Sequence, residues 1–123
     1  MNNKKILIFG GLGYIGTVVV NYFLKKNFKV IIVDNLIYNQ KLYNFQKKRK
    51  NLKIIRSNIS KIKNYYKLLD KKTNVVILSG LVGDPITKKY PAISKKINEK
   101  YTIDIIKTCQ KKNINRIIFV STC

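Results

Sequence analysis

The stretch "ILIFGGLGYIG", residues 6–16, drives an apolar run straight into four glycines, Gly10, Gly11, Gly13 and Gly16. A chain with that order of residues leaves an extended segment by a sharp turn, and its backbone must come close to some other group. The following residues resume an apolar pattern and predict a helix over Tyr14–Lys26. No charge occurs from Ile6 to Leu24, a length close to the ~20 residues that cross a bilayer. The clustered glycines, with Tyr14, Thr17 and Asn21 among them, argue against a membrane span. The sequence Tyr22-Phe23-Leu24-Lys25 lacks the small residues of a signal-peptide cleavage site. A strand turning into a helix is what remains, with no role for a membrane.

Four further runs resemble the first in their Ile and Val content: "KVIIVD" (29–34), "LKIIRS" (52–57), "NVVILSG" (74–80) and "RIIFVS" (116–121). With "KKILIFG" (4–10) they make five strands whose nearly continuous hydrophobicity predicts burial on both faces, as in a parallel sheet. Helical patterns lie between them. From Tyr90 to Lys112, Ile93, Ile97, Tyr101, Ile105 and Cys109 recur at every fourth position and form one apolar stripe. A further helix is predicted from Ser60 as N-cap through Lys72, with Ile62, Tyr65, Tyr66 and Leu69 on one side. Residues 35–50 read as a loop with a short helix. Strand and helix alternating in this way specify an α/β fold, a doubly wound parallel sheet of about five strands in the order 3-2-1-4-5. A chain of 123 residues with 46% hydrophobic and 25% charged composition supports one such domain, residues 1–123.

The sign of the charge is unusual: 26 Lys and Arg face 5 Asp and Glu, a net +21. Such a balance raises a nucleic-acid partner as a function class. Its distribution speaks against one. Lysine doublets at 25–26, 47–48, 71–72, 88–89, 95–96 and 111–112 are spread along the chain, and arginine is confined to Arg49, Arg56 and Arg116. Phosphate and base recognition favour the arginine fork gathered on one face, and no nucleic-acid motif accompanies the charge. Alanine occurs only at Ala92, whereas Lys, Asn, Ile and Tyr abound, as in proteins encoded by A/T-rich codons. Cys109 and Cys123 lack CxxC spacing, and the chain has no histidine, so neither a structural zinc nor a redox pair is indicated. Two unpaired thiols suit the reducing cytoplasm.

The glycines have a mechanical reading. The first makes the tight turn, Gly13 lets the backbone approach a pyrophosphate, and Gly16 lets the helix pack closely on the strand. The pyrophosphate is then held at the helix N-terminus, where free N–H groups and the dipole favour an anion. Asp34, which ends "VIIVD" 18 positions after Gly16, is placed to accept hydrogen bonds from the ribose hydroxyls of an adenosine. That pairing points to NAD. A 2′-phosphate beside Asp34 would be repelled, which makes NADP the lesser choice.

At these residues the chain resembles the extended short-chain dehydrogenase/reductase family, in particular the NAD-dependent sugar-nucleotide epimerases and dehydratases. The resemblance covers the whole chain. Gly10, Gly13 and Gly16 match the family's GxxGxxG, with Tyr14 and Ile15 in the stretch that covers the pyrophosphate. "VDNL" is similar to its adenosine-ribose signature, which assigns the contact to Asp34 and Asn35. Asn58 and Ile59 lie where the family has Asp-Ile or Asp-Leu beside the adenine, and Asn still offers hydrogen bonds to the base. The resemblance further implies that Leu78, Ser79 and Gly80 line the cofactor, that Asn98 braces the cofactor-binding loop, and that Thr122 is the catalytic Ser/Thr, with Ser121 as second choice.

In this family a Tyr-x-x-x-Lys pair exchanges the hydroxyl proton while the nicotinamide transiently carries the hydride. Tyr22 with Lys26 and Tyr43 with Lys47 have that spacing but lie on the glycine-turn helix and in the loop after Asp34, so both are chance matches. The resemblance therefore implies the NAD-binding portion of a nucleotide-sugar epimerase or dehydratase, ending before the substrate-binding part, whether as a fragment or as a truncated product. It implies no turnover by these 123 residues alone, a nucleotide-sugar substrate for the full-length enzyme, and it leaves a homodimer open. A non-catalytic dinucleotide-binding module is the alternative, and a basic nucleic-acid binder on the same fold a weaker one.

Overall fold

The computed structural model describes residues 4–11, 14–34, 50–58, 61–78, 89 and 91–120, without the side chains of residues 14, 93, 94, 97 and 98. Five strands form one sheet in the order β3-β2-β1-β4-β5. They are β1 (Lys5–Phe9), β2 (Lys29–Asp34), β3 (Leu52–Arg56), β4 (Thr73–Ile77) and β5 (Arg116–Phe119). Every pairing is parallel, with Ile8 opposite Ile32 and Val76, and Asp34 opposite Arg56. The predicted order and class are those observed.

Side-chain alternation divides the sheet into two cores. On one face, helix α1 (Tyr14–Lys25) lays Val20 and Leu24 over Ile6, Ile8, Val30, Ile32 and Val76. On the other, Tyr65, Leu69, Ile105 and Cys109 cover Leu7, Phe9, Ile31, Val33, Val75 and Ile77. The ring of Tyr65 meets that of Phe9 edge-on, centroids 5.0 Å apart. Burial pushes the Tyr65 hydroxyl far up, and raises the Cys109 thiol to about 11, so the thiol stays protonated and serves as a small core residue.

The expectation of burial on both faces holds for β1, β2 and β4 and fails for β3 and β5. Among the described residues each outer strand has a neighbour on one side only, and Lys53, Ile54, Arg56, Ile118 and Phe119 are exposed. The helix predicted over 60–72 is also corrected. Ile62–Asn64 and Tyr66–Leu68 form two short 3-10 turns, Leu69 is extended, and the proposed cap, Ser60, lies outside the described residues. Tyr65 and Leu69 are buried as expected, but Tyr66 is exposed beneath the Lys112 ammonium. This segment must carry the chain from one edge past β2 and β1 to β4, roughly 14 Å at three strand spacings. A 3-10 turn rises about 2.0 Å per residue against 1.5 Å for an α-helix, so it covers that distance with fewer residues.

The long helix is present but interrupted: α2 (Pro91–Lys95) passes through a π turn, Lys96–Tyr101, into α3 (Thr102–Lys111). A strict spacing of four drifts by about 40° per step on a helix of 3.6 residues per turn. The wider π turn takes up part of such a drift, and beyond it Tyr101, Ile105 and Cys109 pack into one core. Helices α1 and α3 end alike, on Asn27 and Asn113 with φ of 63° and 54°. Phe28 N–H donates to Phe23 O, Asn27 N–H to Leu24 O, Ile114 N–H to Cys109 O and Asn113 N–H to Gln110 O, two copies of the Schellman cap with asparagine in the left-handed position.

Asp70 fastens the entry to β4. Its carboxylate accepts hydrogen bonds from Lys5 Nζ (2.7 Å), Lys72 N–H (2.9 Å) and Thr73 Oγ1 (3.0 Å), tying β1 to β4 at their amino ends. The Lys5 ammonium, aided by these hydrogen bonds, holds the carboxyl below its ordinary value. A depressed carboxyl stabilises the fold above its unfolded pKa and loses that contribution as pH falls through the folded one. Because the carboxylate is half exposed, Asp70→Asn should cost no more than about 1 kcal/mol at neutral pH. Urea unfolding should show that difference close in acid, where wild type and variant converge.

Candidate functional site

The carboxyl ends of all the strands face the same way in a parallel sheet, and the order places a reversal between β1 and β4, where connections leave in opposite directions. That reversal opens a crevice at the strand ends. Four of the predicted site residues stand at the ends of these strands: Gly10 follows β1, Asp34 ends β2, Asn58 stands two residues beyond β3, and Leu78 comes directly after β4, with Gly11 beside Gly10. Backbone hydrogen bonds continue past the strands and align these ends: Gly10 N–H donates to Val33 O (2.9 Å), Ser57 N–H to Asp34 O (3.0 Å) and Leu78 N–H to Phe9 O (2.9 Å).

Gly10 and Gly16 have the geometry that the tight turn and the close packing require. Gly10 has φ 80°, in the left-handed region that glycine enters without strain. Gly16, in the first turn of α1, is buried against the turn it helps to form. A Cβ there would lie 2.5 Å from Gly10 O and 2.7 Å from both the carbonyl carbon and oxygen of Gly11. Gly11, to which the spacing argument gave no separate task, proves equally constrained. Its Cβ would meet Ile32 Cγ2 at 2.8 Å and Val20 Cγ2 at 3.3 Å, so it lets the turn settle onto β2 and α1 together. The doubled glycine was the signal for it. The absence of side chains at Gly10, Gly11 and Gly16 lets the first turn of α1 sit close against the end of β1; the first N–H groups of a helix have no partner within it.

Val30 and Ile32 belong to the α1-side core, so alternation along β2 puts Asp34 on that same face, half-buried, beside the glycine turn. Asn58 is exposed, and its neighbour Ser57 is fixed by a hydrogen bond from Asn64 Nδ2 to Ser57 Oγ (2.8 Å). Leu78 packs at the border of the α1-side core, while Ile15 on α1 is 60% exposed. Asn98 falls within the π turn, and Tyr14 opens α1; for both, only the backbone is described. Gly13, Asn35, Ile59, Ser79, Gly80, Ser121 and Thr122 lie outside the described residues. Among the described residues no group of acidic residues or cysteines could hold a metal ion, and no helix is long and apolar enough to cross a membrane.

Comparison with known proteins places this geometry. A family model described as "NAD dependent epimerase/dehydratase family" matches residues 6–123. A dTDP-D-glucose 4,6-dehydratase of Dictyostelium discoideum is 28% identical over 99% of this chain and 31% of its own length. Among solved structures, the UDP-N-acetylglucosamine 4-epimerase of Methanobrevibacter ruminantium superposes with a TM-score of 0.86 at 29% identity, covering 99% of this chain and 39% of its own. The UDP-Glc/GlcNAc 4-epimerase of Campylobacter jejuni gives a TM-score of 0.84 at 27% identity, over 98% of this chain and 37% of its own. The chain thus spans somewhat over a third of the length of these two epimerases, and under a third of the dehydratase.

Proposed function

The chain belongs to the NAD dependent epimerase/dehydratase family, and on that premise we propose that it is the NAD-binding portion of a sugar-nucleotide epimerase or dehydratase. The observation that supports this reading most is the close approach at Gly16, where an added Cβ would lie 2.5 Å from Gly10 O and 2.7 Å from Gly11 C and O, so that α1 begins hard against the end of β1. Residues around it fit the dinucleotide. The amino end of α1 receives the pyrophosphate with its free N–H groups. Asp34 accepts hydrogen bonds from the ribose hydroxyls of the adenosine, Asn58 offers its amide to the adenine, and Leu78 supplies an apolar wall by the crevice. NAD, when bound, supplies the hydride chemistry of the family, taking a hydride from the sugar and returning it. Thr122, three residues after β5 in the sequence, is assigned to orient the sugar hydroxyl.

The dinucleotide portion is the same for epimerase and dehydratase, and relatives of both kinds match this chain. The test is the preference of Asp34 between nucleotides. A carboxylate left facing a 2′-phosphate should make NAD bind at least about tenfold more tightly than NADP, a difference of ~1.4 kcal/mol. Calorimetric titration with both nucleotides should show Asp34→Ala erasing the preference. An unchanged ratio in the variant would make Asp34 a strand-end residue and remove it from the site.

A further inference from the structure

Arginine is scarce here, and one of the three stands at the predicted ribose-binding edge. Arg49 lies outside the described residues and Arg116 opens β5 at the amino end of the sheet. Arg56 ends β3 at the carboxyl edge, in register with Asp34 on the neighbouring parallel strand. Residues so paired carry their side chains on the same face, about 4.8 Å apart at the backbone. Leu52, four pairs earlier in that ladder, packs into the α1-side core, and alternation through Ile54 brings Arg56 onto that face as well. Arg56 is exposed, so its long side chain is able to turn towards the edge.

We propose that Arg56 is a specificity-determining residue: carried beside Asp34 at the carboxyl edge of β2 and β3, it offers its guanidinium to a phosphate on the adenosine 2′ oxygen. The proposal rests on the NAD site described above. It changes the meaning of Asp34, because the selectivity of the site becomes a property of the pair. The carboxylate favours a free 2′-hydroxyl and repels a 2′-phosphate, whereas the planar guanidinium can hold phosphate oxygens bidentately. Neither lysine nor the diffuse positive surface reproduces that geometry. The site therefore prefers NAD yet keeps a latent capacity for NADP, which is uncovered once the carboxylate is removed.

Calorimetric titration of NAD and NADP against wild type, Arg56→Gln, Asp34→Ala and the double variant tests this, with circular dichroism confirming that each is folded. Asp34→Ala should move the NADP-to-NAD affinity ratio about tenfold or more towards NADP, and Arg56→Gln in that background should cancel most of the gain. In the wild-type background Arg56→Gln should widen the preference for NAD. A double variant that keeps the ratio of Asp34→Ala would overturn the proposal and leave the NAD site intact. Equal loss of both nucleotides in Arg56→Gln would also overturn it, by showing a structural role. Failure of folded wild type to bind NAD would overturn the site itself, a distinguishable outcome.

Discussion

Gly16→Ala should destabilise the fold by about 3 kcal/mol, at the upper end of what one added methyl group costs in a packed interior. The reason is the identity of the atoms in the way. The new Cβ would lie 2.5 Å from Gly10 O and 2.7 Å from the carbonyl carbon and oxygen of Gly11, all backbone atoms of a turn held by Gly10 N–H to Val33 O. They have no rotamer to change. Relief requires α1 to lift from the end of β1, and Val20 and Leu24 would be pulled from the core beneath it. Gly11→Ala is the informative comparison, because its Cβ meets side-chain methyl groups of Ile32 and Val20, whose adjustment should limit the cost to about half as much. Urea unfolding of the two variants measures both. A Gly16→Ala chain as stable as wild type would show that the close approach is not required.

Much of this arrangement was legible in the sequence because few alternatives satisfy it. Ile6–Phe9, Val30–Val33 and Val75–Ile77 are apolar at consecutive positions, the pattern of a strand covered on both faces, and those strands fill the centre of the sheet. The same signal in "LKIIRS" and "RIIFVS" located β3 and β5 but overstated their burial, since position within a sheet is not encoded in a run of residues. Residues 60–72 misled for a different reason. Ile62, Tyr65, Tyr66 and Leu69 recur at spacings of three and four that suit an α-helix and a 3-10 turn alike, and the distance to be crossed decides between them. That distance becomes known only with the strand order. The glycine turn was readable because backbone geometry imposes glycine at Gly10 and Gly16, whereas the mate of Asp34 was not. Arg56 is 22 positions away along the chain and becomes its neighbour through strand register alone.

The second large effect follows from linkage. A ligand that binds the folded chain and not the unfolded one adds RT ln(1 + [L]/Kd) to stability, about 2.7 kcal/mol when its concentration is a hundred times Kd. The close-packed glycine turn at Gly10, Gly11 and Gly16 and the amino end of α1 exist only when β1, β2 and α1 are packed together, so the unfolded chain has nothing equivalent to offer. NAD should therefore stabilise the chain, and the gain should grow with the logarithm of its concentration once the site is saturated. Gly16→Ala, which lifts the amino end of α1 from the turn, should lose this dependence along with its intrinsic stability. The decisive measurement is urea unfolding of the wild-type chain across a series of NAD concentrations. The account predicts a midpoint that rises steadily with NAD at an unchanged slope; a cooperative transition whose midpoint is indifferent to NAD would contradict it.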